Sequence, residues 1–313
     1  MQSAWANPIL LLVLTTLIWA GHSIVGRLAV DQIGPMTLTC LRWGIALIPI
    51  LLTARPALRR DWPVLRTHWR YMAAMGALGY TGFNALFYVA AHRTSALNLS
   101  IIQGAIPALV LVGARLFLGA RFTALQGLGA LTTMAGVVAI AAQGDLNRLA
   151  ALAFNGGDVM MFIAAILYAG YTIGLRERPH VSGLSLLAGM ALAAFITSVP
   201  LMIWEIAAGG FIWPTAAGYA TLVYVALGPA FVSQIMFMRG VELIGPGRAG
   251  VFVNLVPAFG AIMAVVILGE PFAAYHVVAL ILVVTGIAIA QRARPAVSIT
   301  ESTRKGGDGD GLD

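Results

Sequence analysis

Ala77-Leu78-Gly79 returns as Ala226-Leu227-Gly228, and the two phrases open a longer correspondence along the chain. Ile106-Pro107-Ala108 answers to Val256-Pro257-Ala258, and Ala135-Gly136-Val137 to Thr285-Gly286-Ile287. Upstream, Trp19-Ala20-Gly21-His22-Ser23-Ile24 pairs with Tyr168-Ala169-Gly170-Tyr171-Thr172-Ile173. The offset stays near 150 residues throughout. Solenoid units repeat every ~20–50 residues, so what has been doubled here is a whole bundle. Each half carries an odd number of apolar runs, which makes the second copy enter a bilayer from the opposite side. An antiparallel duplication of that kind is how many secondary transporters are built.

Of the 313 residues, 60% are hydrophobic and only 10% charged. A soluble domain carries roughly 25% charged residues, so a chain this poor in charge belongs in a bilayer. The single cysteine, Cys40, lies in an apolar run; it rules out an intrachain disulfide and a thiolate metal cluster, and reads as a small packing residue. A net charge of +7 does not mark a nucleic-acid footprint, because the basic residues sit in short links rather than in a stripe.

Apolar runs of near-spanning length fall at 8–28, 35–54, 70–91, 96–117, 122–142, 157–176, 183–208, 215–239, 247–268 and 272–291. Each approaches the ~20 residues that cross a ~30 Å hydrocarbon core. The expected fold is therefore an all-α polytopic membrane protein, ten transmembrane helices arranged as two inverted five-helix repeats around a central cavity. The repeats are expected at 1–149 and 150–294, followed by a disordered Gly- and Asp-rich tail at 295–313. The first run lacks a basic segment before it and is read as a retained span, not a cleaved leader. All of the 19 Lys and Arg residues except Arg27, Arg42, Arg93 and Arg148 fall in the links after even-numbered runs, at the run ends flanking those links, or in the tail. The positive-inside bias then places both termini in the cytoplasm.

No nucleophile elbow, paired-histidine zinc motif or phosphate loop is present, so no enzyme activity, cofactor or metal is expected. Asp31, Asp61, Asp145, Asp158, Glu177, Glu205, Glu242 and Glu270 all lie at or near run ends. His22 and Arg42 lie inside runs, at similar depth. A guanidinium in the membrane is costly unless paired or hydrated, and it matches a carboxylate bidentately. One reading is a carboxylate-bearing substrate at these groups. The other pairs Arg42 with backbone carbonyls or Asp31, and His22 with a neighbouring hydroxyl. Trp19, Tyr80, Asn84 and Tyr88 extend the polar set, the last three spaced i, i+4, i+8 on one helix face. Tyr168, Tyr171, Ser233 and Gln234 answer them in the second half, with Gln103 and Asn254 near Pro107 and Pro257. These twelve are the expected substrate-binding residues; interhelical hydrogen bonding without a substrate is the alternative. Pro107 and Pro257 are read as hinges or as static kinks.

The order of these features resembles the EamA-type members of the drug/metabolite transporter superfamily. The resemblance rests on the duplicated five-run halves, the Pro107 and Pro257 helices, the Trp19-Ala20-Gly21 opening, Arg42, and the Leu-Gly-x-x-Phe turns at Leu118–Phe122 and Leu268–Phe272. It covers nearly everything before the tail and is most similar to the YddG-type amino-acid exporters. The first turn departs from the pattern, with Ala120 where the second has Glu270. The resemblance implies a basket of helices around a cavity open to one side at a time, in a bacterial inner membrane. It implies export of amino acids, aromatic or other neutral ones, or of related small metabolites, by alternating access. Its partners are then a small-molecule substrate and lipid, with no nucleic acid, and the chain is a monomer or weak oligomer. Lipophilic cations would call for an acid inside the bundle, and sugar nucleotides for several cavity cations. A non-transporting scaffold would not need a polar inner face.

Overall fold

A computed structural model describes residues 4–119, 123–142, 145 and 155–292. The first Leu-Gly-x-x-Phe turn beyond Gly119, the boundary between the halves at 149 and 150, and the tail lie outside the described residues. Within them the structure is all helical. We label the helical stretches α1 (Pro8–Leu28), α2 (Pro35–Thr67) and α3, which runs Trp69–Met75, Gly76–Gly82 and Phe83–Ala91. α4 comprises Ala96–Gln103 and Ile106–Leu118, and α5 is Ala124–Ala142. Then follow α6 (Gly156–Gly174), α7 (Gly183–Ala207) and α8, made of Ala216–Leu227, Gly228–Val232 and Ser233–Ile244. α9 comprises Pro246–Val253 and Leu255–Leu268, and α10 is Ala274–Arg292. Among the described residues, six helical stretches are long and apolar enough to cross a membrane, with shorter apolar helices at Ala124–Ile140, Leu255–Leu268 and Ala274–Ala290.

Local chemistry sets the helix ends. Asn7, Ser95, Asn155, Ser182 and Thr215 each accept a backbone N–H of the first turn that follows them, satisfying donors that the helix leaves free. α4 and α9 both stop at a glycine in the left-handed region, Gly119 at φ 62° and Gly269 at φ 66°, a conformation that a side chain disfavours.

Several apolar runs differ in detail from the sequence expectation. α2 does not stop near residue 54 but continues to Thr67 with Pro49, Pro56 and Pro63 inside it. The continuation holds because Ala54, Asp61 and Leu65 face the protein and are buried, so packing outweighs the lost backbone bonds. α3 and α8 are interrupted by π-helical segments at Gly76–Gly82 and Gly228–Val232. α4 breaks at Gly104 and Ala105, and α9 at Asn254, each just before its proline. Proline lacks the amide that would continue the preceding turn.

Packing follows a regular exchange. α2 lies on α7 and α5 on α10. α1 packs on α8 and α9, while α6, its sequence counterpart, packs on α3 and α4. α2 and α7 are antiparallel, as their polar ends show. Glu205 near the end of α7 accepts from Met36 N and Thr37 N at the start of α2, both at 2.9 Å. At the other end Asp61 of α2 accepts from Ser182 N, the cap of α7, at 2.9 Å. α5 and α10 approach backbone to backbone: a Cβ on Gly129 would fall 2.5 Å from Gly286 O. Small residues allow this contact in a lipid setting, where dispersion replaces the hydrophobic drive.

Candidate functional site

A cavity of about 160 Å³ lies at the middle of the helices, where the π segments of α3 and α8 and the breaks of α4 and α9 meet. These interruptions share a consequence. A π turn or a broken helix shifts the register of the side chains beyond it and leaves room beside the backbone. Pro107, Pro229 and Pro257 all line the space.

Arg42 is the centre of its chemistry. The residue is 5% exposed, yet among the described residues it has no carboxylate within ion-pair distance, since the two salt bridges there are Arg60–Asp61 and Arg239–Glu242. Its Nη1 donates to Asn84 Oδ1, to Tyr88 OH at 3.0 Å and towards His22 Nε2 at 3.0 Å. A ring nitrogen facing a guanidinium N–H acts as acceptor, so His22 is neutral and its proton sits on Nδ1. Tyr88 OH also lies 2.8 Å from that Nε2, and Phe87 stacks on the imidazole at 4.5 Å. Asn84 is held in turn by its own amide, which donates to Tyr80 O in the π segment. The pairing with Asp31 or with backbone carbonyls that the sequence left open is not what forms; three neutral side chains hold one Nη instead. Arg42 Nε is buried with no partner. Neutral acceptors partly solvate the cation but leave its charge uncompensated, a state that costs several kcal/mol in a low-dielectric setting. An arriving carboxylate would pair with the guanidinium edge.

Aromatic rings make up much of the rest. Tyr80 stacks on Trp43 at 4.5 Å with planes 5° apart, and Arg42 Cζ sits 5.2 Å from the same indole. Tyr168 packs 5.0 Å from Phe83. Gln103 Nε2 donates to Ser23 Oγ at 2.9 Å, and Gln234 Nε2 to Pro229 O at 3.4 Å. Of the residues singled out in the sequence, Trp19, His22, Arg42, Tyr80, Asn84, Gln103, Tyr168, Gln234 and Asn254 line the cavity, as do Pro107 and Pro257. Tyr88, Tyr171 and Ser233 do not. Tyr88 stands behind Arg42, Tyr171 behind Tyr80 with the hydroxyls 3.4 Å apart, and Ser233 Oγ is spent on Pro229 O at 2.9 Å. Tyr80, Asn84 and Tyr88 follow one strip of α3, but the strip passes from the cavity at Tyr80 and Asn84 to the layer behind Arg42 at Tyr88.

Sequence reasoning missed Trp43, Phe83 and Gly79 as lining residues. Trp43 was overlooked beside Arg42 because adjacent helical residues point ~100° apart. The cavity is wide enough to meet both. Gly79 is there because a Cβ at that position would collide with the Tyr171 ring.

The family model described as the EamA-like transporter family matches the chain twice, over residues 6–142 and 155–291. The uncharacterized transporter YyaM of Bacillus subtilis (strain 168) is 25% identical over 274 residues, covering 84% of this chain and 86% of that protein. A protein named a probable terminal-alkyne amino-acid exporter, from Streptantibioticus cattleyicolor, is 24% identical over 275 residues, with 86% of each chain covered. One solved crystal structure superposes with a TM-score of 0.62 at 19% identity, covering 90% of this chain and 96% of the other; at that identity the likeness speaks for the fold alone.

Proposed function

Because the chain belongs to the EamA-like transporter family, its two halves each matching that family's model, we propose that it is a carrier for small carboxylate-bearing metabolites, amino acids first among them. The observation that carries this reading is Arg42, a buried cation on a central cavity with no carboxylate partner among the described residues. The substrate's carboxylate is the missing counter-ion. Trp19, Trp43, Tyr80 and Tyr168 offer aromatic and apolar surface to its side chain, and Gln103, Gln234 and Asn254 offer amides to its polar groups. A cationic drug would meet the guanidinium with like charge, which disfavours that alternative. The relative named a probable amino-acid exporter supports the direction of the reading, which is export.

The ten helical stretches are read as ten spans in two inverted repeats. The antiparallel ends of α2 and α7 support this, as does the exchange of packing partners between α1 and α6. The basic links put both termini in the cytoplasm. On that orientation the outer end is sealed: Phe87, Leu97, Leu99 and Ile101 there are fully buried, at 0–1% exposure. Glu270 fastens the seal by accepting from Ala96 N and Leu97 N at 2.8 and 2.9 Å. Rocking about the breaks at Pro107 and Pro257 would open that end and close the other, carrying the bound carboxylate across. The test is uptake of labelled amino acids into proteoliposomes holding the purified protein. Saturable flux that collapses in Arg42→Gln is expected; absence of flux for all twenty amino acids would refute the substrate class.

A further inference from the structure

On the flank of the molecule, away from the central cavity, α2, α3 and α7 leave a groove of about 750 Å³. Its bed is apolar, formed by Leu51, Leu65, Ala73, Leu192 and Ile196. Its lip carries Arg59, Trp62, Arg66 and Trp69. Both tryptophans are 60% exposed. Both arginines are exposed and, among the described residues, neither enters a salt bridge. The nearest acid along α2, Asp61, is taken by Arg60 and Ser182 N.

We propose that this groove binds an anionic phospholipid, one acyl chain along the apolar bed and the phosphate between Arg59 and Arg66. The length of α2 sets the depth. At 33 residues the helix spans about 50 Å, some 20 Å more than the hydrocarbon core, so its last third lies among headgroups. Arg59 and Arg66 are two helical turns apart and share a face, so both guanidiniums stand over the same side of the groove. Indoles settle at the same headgroup depth. The bed runs on into surface made for lipid, with Leu52 69% and Ile196 58% exposed. Charge selects the occupant. A zwitterionic headgroup brings its own cation towards two unpaired guanidiniums, whereas an anionic one brings only the phosphate charge. The site stands independently of the transport reading, since no cavity residue takes part.

Native mass spectrometry of the full chain, released from micelles holding equal phosphatidylglycerol and phosphatidylcholine, reads the occupancy. The intact protein is expected to keep phosphatidylglycerol about 10-fold over phosphatidylcholine, and Arg59→Gln/Arg66→Gln to erase that preference. Ala73→Phe, which fills the bed and leaves both guanidiniums, is expected to lose the same bound lipid. Undiminished phosphatidylglycerol in the double arginine variant overturns the proposal. Retention in Ala73→Phe does so too, by reducing the effect to charge pairing on an open surface. Should either variant lose its melting transition, the wild type decides alone: quenching of its tryptophans by brominated phosphatidylglycerol must exceed that by brominated phosphatidylcholine, and equal quenching refutes the site.

Discussion

The π segments of α3 and α8 hold matching places in the two halves, yet they arise from different chemistry and face the cavity with different groups. In α3 the segment Gly76–Gly82 has glycine at both ends and at Gly79, where the ring of Tyr171 fills the place of a side chain. In α8 the segment Gly228–Val232 contains Pro229, which cannot continue the turn before it. Beyond the α3 segment come Asn84 and Tyr88, both bound to Arg42. Beyond the α8 segment comes Ser233, which bonds only its own helix through its side chain. The duplication has kept a backbone device and let its chemistry diverge. The first half supplies the charge and the groups that orient it, besides aromatic surface; the second lines the cavity with apolar, aromatic and amide groups alone.

Four experiments can break or sharpen that contrast. The largest effect belongs to the charge: Arg42→Gln is expected to lower amino-acid flux in proteoliposomes about 100-fold, the scale of a hydrogen bond to an ionised group. Arg42→Lys should not restore it, because an ammonium lacks the planar fork. Equal flux in the glutamine variant would mean that the asymmetry has nothing to do with substrate.

Next come the two glycines. Gly79→Ala puts a methyl into the Tyr171 ring, while Gly228→Ala meets nothing closer than Ile18 Cγ2 at 3.3 Å. Overpacking of that sort costs about 1–3 kcal/mol, so thermal unfolding in detergent should fall clearly for the first and little for the second. A third, milder change makes the first half imitate the second. Asn84→Ser removes an acceptor from Arg42 and is expected to cost about 10-fold in flux with folding intact, read from the same uptake assay. The smallest effect concerns the seal. Glu270→Gln weakens the bonds to Ala96 N and Leu97 N by about 1 kcal/mol or less. On the proposed orientation it should raise labelling of an engineered cysteine at Leu97 from outside, with little change in melting. Unchanged labelling would show that Glu270 is only a helix cap.

Much of this was legible in the residues. The pairing of Trp19-Ala20-Gly21 with Tyr168-Ala169-Gly170 and the placing of Pro107 against Pro257 marked the doubled half, and intramembrane Arg42 announced itself by cost alone. Tyr88, Tyr171 and Ser233 were legible as buried polar groups but not as groups standing one layer behind the cavity, since depth across the bundle depends on which helices pack on each face and not on spacing along one of them. Trp43 shows the same limit from the other side, entering the cavity although its position along α2 differs from that of Arg42 by a full residue step.

What the sequence determined by itself was the solvent and the doubling: too little charge for water, and apolar runs whose pattern recurs after half the chain. Only the packed structure decided which polar groups meet. Arg42, His22, Asn84 and Tyr88 come from three successive helices, and nothing in their spacing says that one guanidinium nitrogen will be held by all three partners while Nε is left without one. The reason is physical. Burial in lipid follows from composition, which is a sum over residues, whereas pairing depends on the crossing of helices, which the register shifts in α3 and α8 set.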